Sequence, residues 1–178
     1  MTFSFRNLHA QTRQHMVNEI NAARDRSTLY HSTRFNDQGR AAWHGLLVEA
    51  AGTYDEHWLA YHLDEMGCFK GFEYRAKPNG GYTTAHVPQT ASETLADAEF
   101  NRYYMIALCS QAHAANTNVT VYRAKERSQA RGESEAVIGS IHTPAELLPA
   151  LRALPAGAMH FLLKPNSGLS LFWTEPAA

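Results

Sequence analysis

The chain has 178 residues, of which 44% are hydrophobic and 19% are charged. Its 16 Lys and Arg residues stand against 17 Asp and Glu residues, so the net charge is −1 with neutral histidines. This size predicts one globular domain over residues 1–178, with a core large enough to fold without disulfides. The balanced charge excludes proteins that hold nucleic acid or anionic membranes by a general positive excess, and the composition excludes disordered and collagen-like chains.

Cysteine usage and the N-terminus predict the compartment. Cys68 and Cys109 are in segments expected to form different elements, so we predict no framework disulfide. The absence of one predicts a reducing compartment. The first residues lack the charged start and apolar run of a signal peptide. No stretch approaches the roughly 20 apolar residues of a membrane-spanning helix. We therefore expect a cytoplasmic protein without a membrane partner.

Three helices are predicted in the first third of the chain. Apolar residues recur at helical spacing over Leu8–Arg24, for which Asn7 is a suitable cap. The same pattern predicts a helix over Gly39–Ala51, ended by Gly52. A third helix is expected over Asp55–Met66. The short connection between the second and third helices predicts an antiparallel helical hairpin.

This predicted helical hairpin is acidic. Between Ala41 and Phe69 the sequence contains neither Lys nor Arg. The same stretch carries five carboxylates: Glu49, Asp55, Glu56, Asp64 and Glu65. A solvated outer face is one interpretation, since charged surfaces are usual for packed helices. The other interpretation is a docking surface for a basic protein, or a mimic of a phosphate backbone.

Residues 67–88 are rich in glycine and proline and predict an extended loop or a loose hairpin turning at Pro78–Gly81. Four aromatic residues are interleaved there: Phe69, Phe72, Tyr74 and Tyr82. Should the domain subdivide, this segment separates a helical part, 1–66, from a mixed part, 89–178. It is also a candidate binding loop, with burial of the rings against the body as the alternative.

One long helix is predicted in the second half of the chain, over Ser92–Ala115. Thr90 and Glu93 have the spacing of a capping box, and apolar residues at helical spacing indicate a buried stripe. Asn116 and Asn118 suit a left-handed exit from this helix. At about two dozen residues, the helix should cross the whole domain.

The remaining sequence predicts a small sheet. The expected strands are Val119–Lys125, a shorter Val137–Gly139, and the two arms of a terminal hairpin, Met159–Leu163 and Leu169–Trp173. Thr143 and Glu146 form a second capping box, opening a helix that Pro149 should kink or shorten. We predict an α+β fold with N-terminal helices including the acidic hairpin, one long central helix, and a mostly antiparallel sheet of three or four strands.

Neither a metal site nor a cofactor is predicted. His57 and His62 are five positions apart, which separates them by about 140° around a helix, whereas ligands on one face are four apart. Cys109 and His113 are four apart and could form a thiolate–imidazole pair. Packing of Cys109 in the core is the alternative, because free cysteines are commonly buried.

A dispersed set of residues suggests an enzyme. Leu29–Thr33 resembles the nicotinamide-holding strand of ADP-ribosyltransferases, and Glu133–Glu135 has the form of their E-x-E loop. The candidate catalytic residues are Arg26 or Arg24, Ser32, Glu133 and Glu135. The second glutamate would orient the ribose hydroxyl and polarise the glycosidic bond of NAD, and the first would activate the acceptor. The low strand content argues against this fold.

A basic run begins in the predicted strand after the long helix. It comprises Arg123, Lys125, Arg127 and Arg131. Arg123 and Lys125 share one face of the strand, which predicts a patch for phosphate, RNA or an acidic partner. A nucleic-acid binder would add Arg102, with Tyr103 and Tyr104 for stacking. A solvated strand and loop is the alternative.

Segments across most of the chain, more firmly after Gly80, resemble a family of uncharacterised bacterial and prophage-encoded proteins. They are Glu99–Tyr104, Leu108–Cys109, Val121–Lys125, Ser134, Ile138–Gly139, Leu147–Arg152 and Pro165–Ser170. The resemblance implies a single intracellular bacterial domain with a phage link, and it carries no activity or site residue.

We therefore expect a non-enzymatic bacterial or phage accessory protein that binds a macromolecular partner, most simply another protein. Head-to-tail self-association is a further expectation, because the acidic hairpin and the basic strand are opposite in sign. The alternatives are the NAD-dependent transferase and a nucleic-acid binder that uses the basic run.

Overall fold

The computed structural model describes residues 2–126, 132–153, 162 and 167–174. Within those residues the chain has an α+β fold of six helices and five strands. They are α1 (Ala10–Asp25), α2 (Asp37–Thr53), α3 (Glu56–Glu65), β1 (Phe72–Ala76), β2 (Tyr82–His86), α4 (Ala91–Ala114), β3 (Val119–Arg123), α5 (Gly132–Glu135), β4 (Ile141–His142), α6 (Pro144–Arg152) and β5 (Leu169–Phe172). The predicted fold class is confirmed.

Helix α4 is the centre of the molecule. It packs against α1, α3 and α6 and against the strands β3 and β5. The predicted long helix is confirmed, as is the left-handed exit at Asn116, whose φ is +51°. The predicted Thr90 cap is wrong, because Thr90 is not in the extended conformation that a side-chain cap requires and makes no capping bond. Among the described helices, none is long and apolar enough to cross a bilayer.

The three N-terminal helices begin at side-chain caps. Asn36 Oδ1 accepts from the backbone of Gly39 at 2.9 Å, and Asp55 Oδ1 accepts from that of Trp58 at 2.8 Å. Helix α1 is capped by His9, two residues beyond the predicted Asn7. Helix α2 continues to Thr53, one residue past the glycine expected to end it. These helices bury a shared core of apolar side chains, including Met16, Ile20, Trp43, Leu47, Leu59 and Leu63.

The C-terminal strands form an antiparallel sheet in the order β4, β3, β5, consistent with the predicted small sheet. The short strand predicted at Val137–Gly139 is wrong: Gly139 has φ +84° in a turn, and the pairing strand follows at β4. Strand β3 ends at Arg123, because the next two N–H groups both donate to the carbonyl of Gly168. The predicted arm Met159–Leu163 lies outside the described residues apart from Leu162.

The N-terminal segment before α1 lies across the sheet and α4. The Ser4 N–H donates to the Ala124 carbonyl at 2.7 Å, and the Tyr122 hydroxyl donates to the Ser4 carbonyl at 2.7 Å. The Asn7 N–H donates to the Tyr104 hydroxyl at 3.1 Å. These bonds hold residues 3–7 against the body and place the backbone of Phe3 beside the start of helix α3, where its N–H donates to Glu56.

Strands β1 and β2 form a separate two-stranded hairpin, as the glycine-rich segment predicts. Tyr74 lies opposite Thr84 in its register, and Gly80 and Gly81 have φ of +88° and +78° in the turn. Those positive φ values explain the Gly-Gly pair at the tip, since other residues are strained there.

Candidate binding groove

The structure places Arg102 in the core. Its side chain is 4% exposed and pairs with Glu99, also buried, at 2.5 Å. The guanidinium also donates to the Leu151 carbonyl at 3.3 Å and lies 4.4 Å from the ring centre of Tyr103. Tyr103 and Tyr104 are buried as well. These three side chains therefore do not form a nucleic-acid surface.

The two described members of the basic run, Arg123 and Lys125, bond to groups within the chain. Lys125 is 4% exposed, and its ammonium group donates to both carboxylate oxygens of Asp97, at 2.6 and 2.8 Å. Arg123 donates to the Ser167 carbonyl at 2.9 Å and to Glu135 at 2.6 Å. Arg127 and Arg131 lie outside the described residues. Within the described residues, the basic strand is therefore tied to internal partners.

The transferase candidates occupy unrelated environments. The segment resembling a nicotinamide-holding strand is not a strand, and Ser32 is buried with its hydroxyl accepting from the Arg34 N–H at 3.2 Å. Glu135 forms a salt bridge with Arg123, and Glu133 is exposed on the same short helix, α5. Arg26 is exposed at the C-terminal cap of α1. The strand that this interpretation needs is absent from the described part of the chain.

The five predicted acids do not form one surface. Glu49 and Glu65 are exposed on α2 and α3. Asp64 accepts a hydrogen bond from the Ser92 hydroxyl at 2.7 Å, which joins α3 to the first turn of α4. Asp55 caps α3, and Glu56 is only 2% exposed. The acidic hairpin thus combines solvated charges, structural bonds and one buried carboxylate.

Beside that buried carboxylate, the surface contains a groove of about 890 Å³. One wall comes from the N-terminal segment and the other from the α2–α3 junction. The side chains that define the groove are Phe3, Phe5, Tyr54, Glu56, Trp58 and Tyr61. Tyr54 and Trp58 stack with ring centres 4.5 Å apart, and Tyr61 is 56% exposed. Trp58 also stacks on His62, so the exposed rings that the groove offers are those of Tyr54 and Tyr61, together with the negative charge of Asp55 and Glu56.

Glu56 is held on one side only. Its Oε1 accepts from the Phe3 N–H at 2.7 Å, whereas Oε2 is buried without a hydrogen-bond partner among the described residues. Burial raises the pKa of this carboxyl group, and the nearby charges of Asp55 and Asp97 raise it further. Burying a carboxylate with one oxygen unbonded costs folding free energy, and a nearby positive charge would reduce that cost.

Arg13 also lines the groove, but its described hydrogen bonds go to backbone carbonyls and not to Glu56. Its Nη1 donates to the carbonyls of Ala50, Ala51 and Tyr54, at 3.4, 3.0 and 2.8 Å. The guanidinium thereby caps the C-terminal end of α2, where unpaired carbonyls favour a cation. Burial lowers the pKa of Arg13.

Replacing Glu56 by Gln is expected to stabilise the protein at neutral pH by about 1 kcal/mol. The amide oxygen can still accept the Phe3 bond, while no charge is buried. Because the folded-state pKa is raised, the stability contributed by protonated Glu56 is present below its ordinary value of 4.5 and is lost as pH rises through the folded-state value. Denaturant titrations should therefore show a difference that grows from acidic to neutral pH.

The matched control for this prediction is Glu65→Gln, an exposed acid on the same helix, which should change the free energy of unfolding by less than about 0.5 kcal/mol. A Glu56→Gln protein that is less stable than the wild type at neutral pH, or whose advantage does not depend on pH, would contradict the buried-charge account.

Both cysteines are buried free thiols. Burial raises the pKa of Cys109 to about 12, which leaves the thiolate form scarce near neutral pH. This favours the core-packing interpretation of Cys109 over a pair with His113. Across the described ranges, no group of three or more His, Cys, Asp or Glu side chains is arranged to hold a metal ion.

Sequence reasoning missed the aromatic walls of the groove. The apolar pattern of α3 predicts Trp58 and His62 on its buried stripe, but they stack on each other 3.8 Å apart at its partly exposed side. A signal is present: Trp58 and Tyr61 are three positions apart on a stripe of α3 distinct from that of Leu59 and Leu63, and Tyr54 precedes the helix four positions before Trp58. The N-terminal wall carries no comparable signal. Comparisons with family models, curated proteins and solved structures found no match to this chain.

Proposed function

We propose that this chain is a non-enzymatic accessory protein that holds a cationic segment of a partner protein in the groove. The observation that carries the proposal is Glu56, a buried carboxylate with an unused oxygen beside exposed aromatic faces. An Arg or Lys side chain is attracted to aromatic faces, and more strongly when the site is partly desolvated. Two carboxylates that line the groove, the buried Glu56 and the exposed Asp55, are both negative and add electrostatic attraction for that cation.

Titration with short cationic peptides tests this proposal. Trp58 is the most exposed of the three tryptophans, since Trp43 is fully buried and Trp173 is 9% exposed, so quenching of emission reports on the groove. We expect amidated oligo-arginine to quench the emission and oligo-glutamate to leave it unchanged. Isothermal calorimetry should show that Glu56→Gln weakens oligo-arginine binding roughly tenfold.

Glu49→Gln is the matched control, because Glu49 is an exposed acid on α2 that does not line the groove. Its binding of oligo-arginine should remain close to that of the wild type. Equal weakening by Glu49→Gln and Glu56→Gln would mean that only general charge is sensed. That result, or the absence of binding to cationic peptides, would overturn the proposal.

A further inference from the structure

The β1–β2 hairpin presents one aromatic face to solvent. Side chains alternate between the faces of a strand, so the cross-strand pairs 72 with 86, 74 with 84 and 76 with 82 lie on the same face. Each pair contributes a ring: Phe72 is 55% exposed, Tyr74 82% and Tyr82 74%. His86 adds a fourth ring, 4.4 Å from that of Phe72. Exposed rings gathered in this way mark an interaction site.

The opposite face of the hairpin attaches it to the body. Glu73 accepts two hydrogen bonds from Arg34, at 2.6 and 3.2 Å, and Arg75 lies 2.6 Å from the same carboxylate. Glu73 and its cross-strand partner Ala85 are the two partly buried positions of the hairpin. This attachment holds in place a two-stranded unit that would be only marginally stable alone, and fixes which face is free.

The charge around the aromatic face is positive. Between Lys70 and Val87 the chain carries Lys70, Arg75 and Lys77 against the single acid Glu73, and that acid is already paired with two arginines. Lys70 lies at the base of the hairpin, where one of its three ammonium donors bonds to the Thr33 carbonyl at 2.9 Å, and Lys77 adjoins the tip. A cation is therefore present near each end of the row of rings. These residues are distinct from the basic run predicted around β3.

We propose that this aromatic face binds single-stranded nucleic acid, with Phe72, Tyr74 and Tyr82 stacking on bases and Lys70 and Lys77 contacting phosphates. Phe72 and Tyr74 are alternate residues of β1 and so lie about 6.8 Å apart, and Tyr82 lies diagonally across the hairpin from Tyr74. Each ring can therefore stack on a separate base of an extended, unpaired strand. The face bears no Leu, Ile, Val or Met, which makes it a poor match for a mainly aliphatic protein surface.

Fluorescence anisotropy with a labelled oligothymidine of about 15 nucleotides tests this proposal. We expect the single strand to bind more tightly than a duplex of the same length. Tyr74→Ala and Tyr82→Ala should each weaken binding roughly tenfold, whereas Tyr74→Phe, which keeps the stacking ring, should retain it. Lys77→Gln should weaken binding and reduce the salt slope by about one.

Ile141→Ala, which removes an exposed apolar side chain of β4 instead, is the matched control and should bind the oligonucleotide like the wild type. The proposal fails if no oligonucleotide binds at low salt, if the duplex binds equally well, or if Ile141→Ala weakens binding as much as Tyr74→Ala. It also fails if light scattering shows a dimer that Tyr74→Ala converts to a monomer, because a second copy would then cover the face.

Discussion

Replacing Glu99 by Gln is expected to destabilise the protein by about 3–5 kcal/mol, which makes it one of the most damaging single changes in the chain. The change removes the counter-charge and one acceptor oxygen, so the charge of Arg102 stays buried with an amide oxygen, the Leu151 carbonyl and the Tyr103 ring as its partners. Although burial disfavours its charged form, the Glu99 carboxylate raises the pKa of Arg102 above its ordinary value. Without that carboxylate, burial lowers the pKa of Arg102, but its ordinary value is so high that the guanidinium stays protonated near neutral pH and the buried charge remains.

Guanidinium titrations of the wild type and the variant measure this cost, and thermal melts should show a drop in Tm of about 10 °C. The control is Glu19→Gln, because Glu19 pairs with Arg152, whose side chain is 44% exposed. That substitution should cost less than about 1 kcal/mol. The double variant Glu99→Leu, Arg102→Met should recover much of the loss, since it removes both charges. If Glu99→Gln and Glu19→Gln lower the free energy of unfolding by the same amount, groups other than Glu99 stabilise the buried charge of Arg102.

Local signals predicted much of the fold. The apolar periodicity of α4 and the left-handed Asn116 depend on residues close together in the chain, and the structure has both. The capping box of α6 is also present, with Glu146 accepting from the Thr143 N–H at 3.0 Å. These features are predictable because the groups that make them are only a few positions apart.

Charge patterns are a weaker guide, because a charged residue does not reveal its burial. Glu99 and Arg102 are three apart, a spacing that is equally common on exposed helix faces. Their burial depends on α6, which packs over that part of α4. The basic run predicts Lys125 at the surface, but its partner Asp97 is 28 positions earlier in the chain. Such contacts are set by the tertiary fold and leave no local pattern.

The candidate sites divide along the same line. The β1–β2 hairpin could be predicted, because glycines, a turn and alternating aromatics lie within about twenty residues, but the same pattern leaves open whether the rings are exposed or buried. The groove could not, since the bond from Phe3 to Glu56 joins residues 53 positions apart. The five-acid pattern indicated the correct region, but only packing of the N-terminal segment separates Glu56 from its exposed neighbours.

Replacing Gly39 by Ala is expected to destabilise the protein by about 3 kcal/mol, because the first turn of α2 has no room for a methyl group. The added Cβ would lie 2.7 Å from Cδ1 of Phe35 and even closer to the carbonyl oxygen of Cys68. Neither can withdraw: Phe35 is fully buried against Trp43, and the Cys68 carbonyl accepts the Asn36 N–H at 3.1 Å.

Gly45→Ala, in the same helix, is the control that separates this clash from helix propensity. Gly45 is exposed, and nothing lies within 4 Å of a Cβ added there. Alanine should therefore stabilise α2 by about 0.5–1 kcal/mol at that position, because alanine has a higher helix propensity than glycine. The same gain applies at position 39, where the clash outweighs it. Denaturant titrations should move the two variants in opposite directions from the wild type. A Gly39→Ala protein as stable as Gly45→Ala would mean that residues 35–39 and Cys68 do not pack as closely as described.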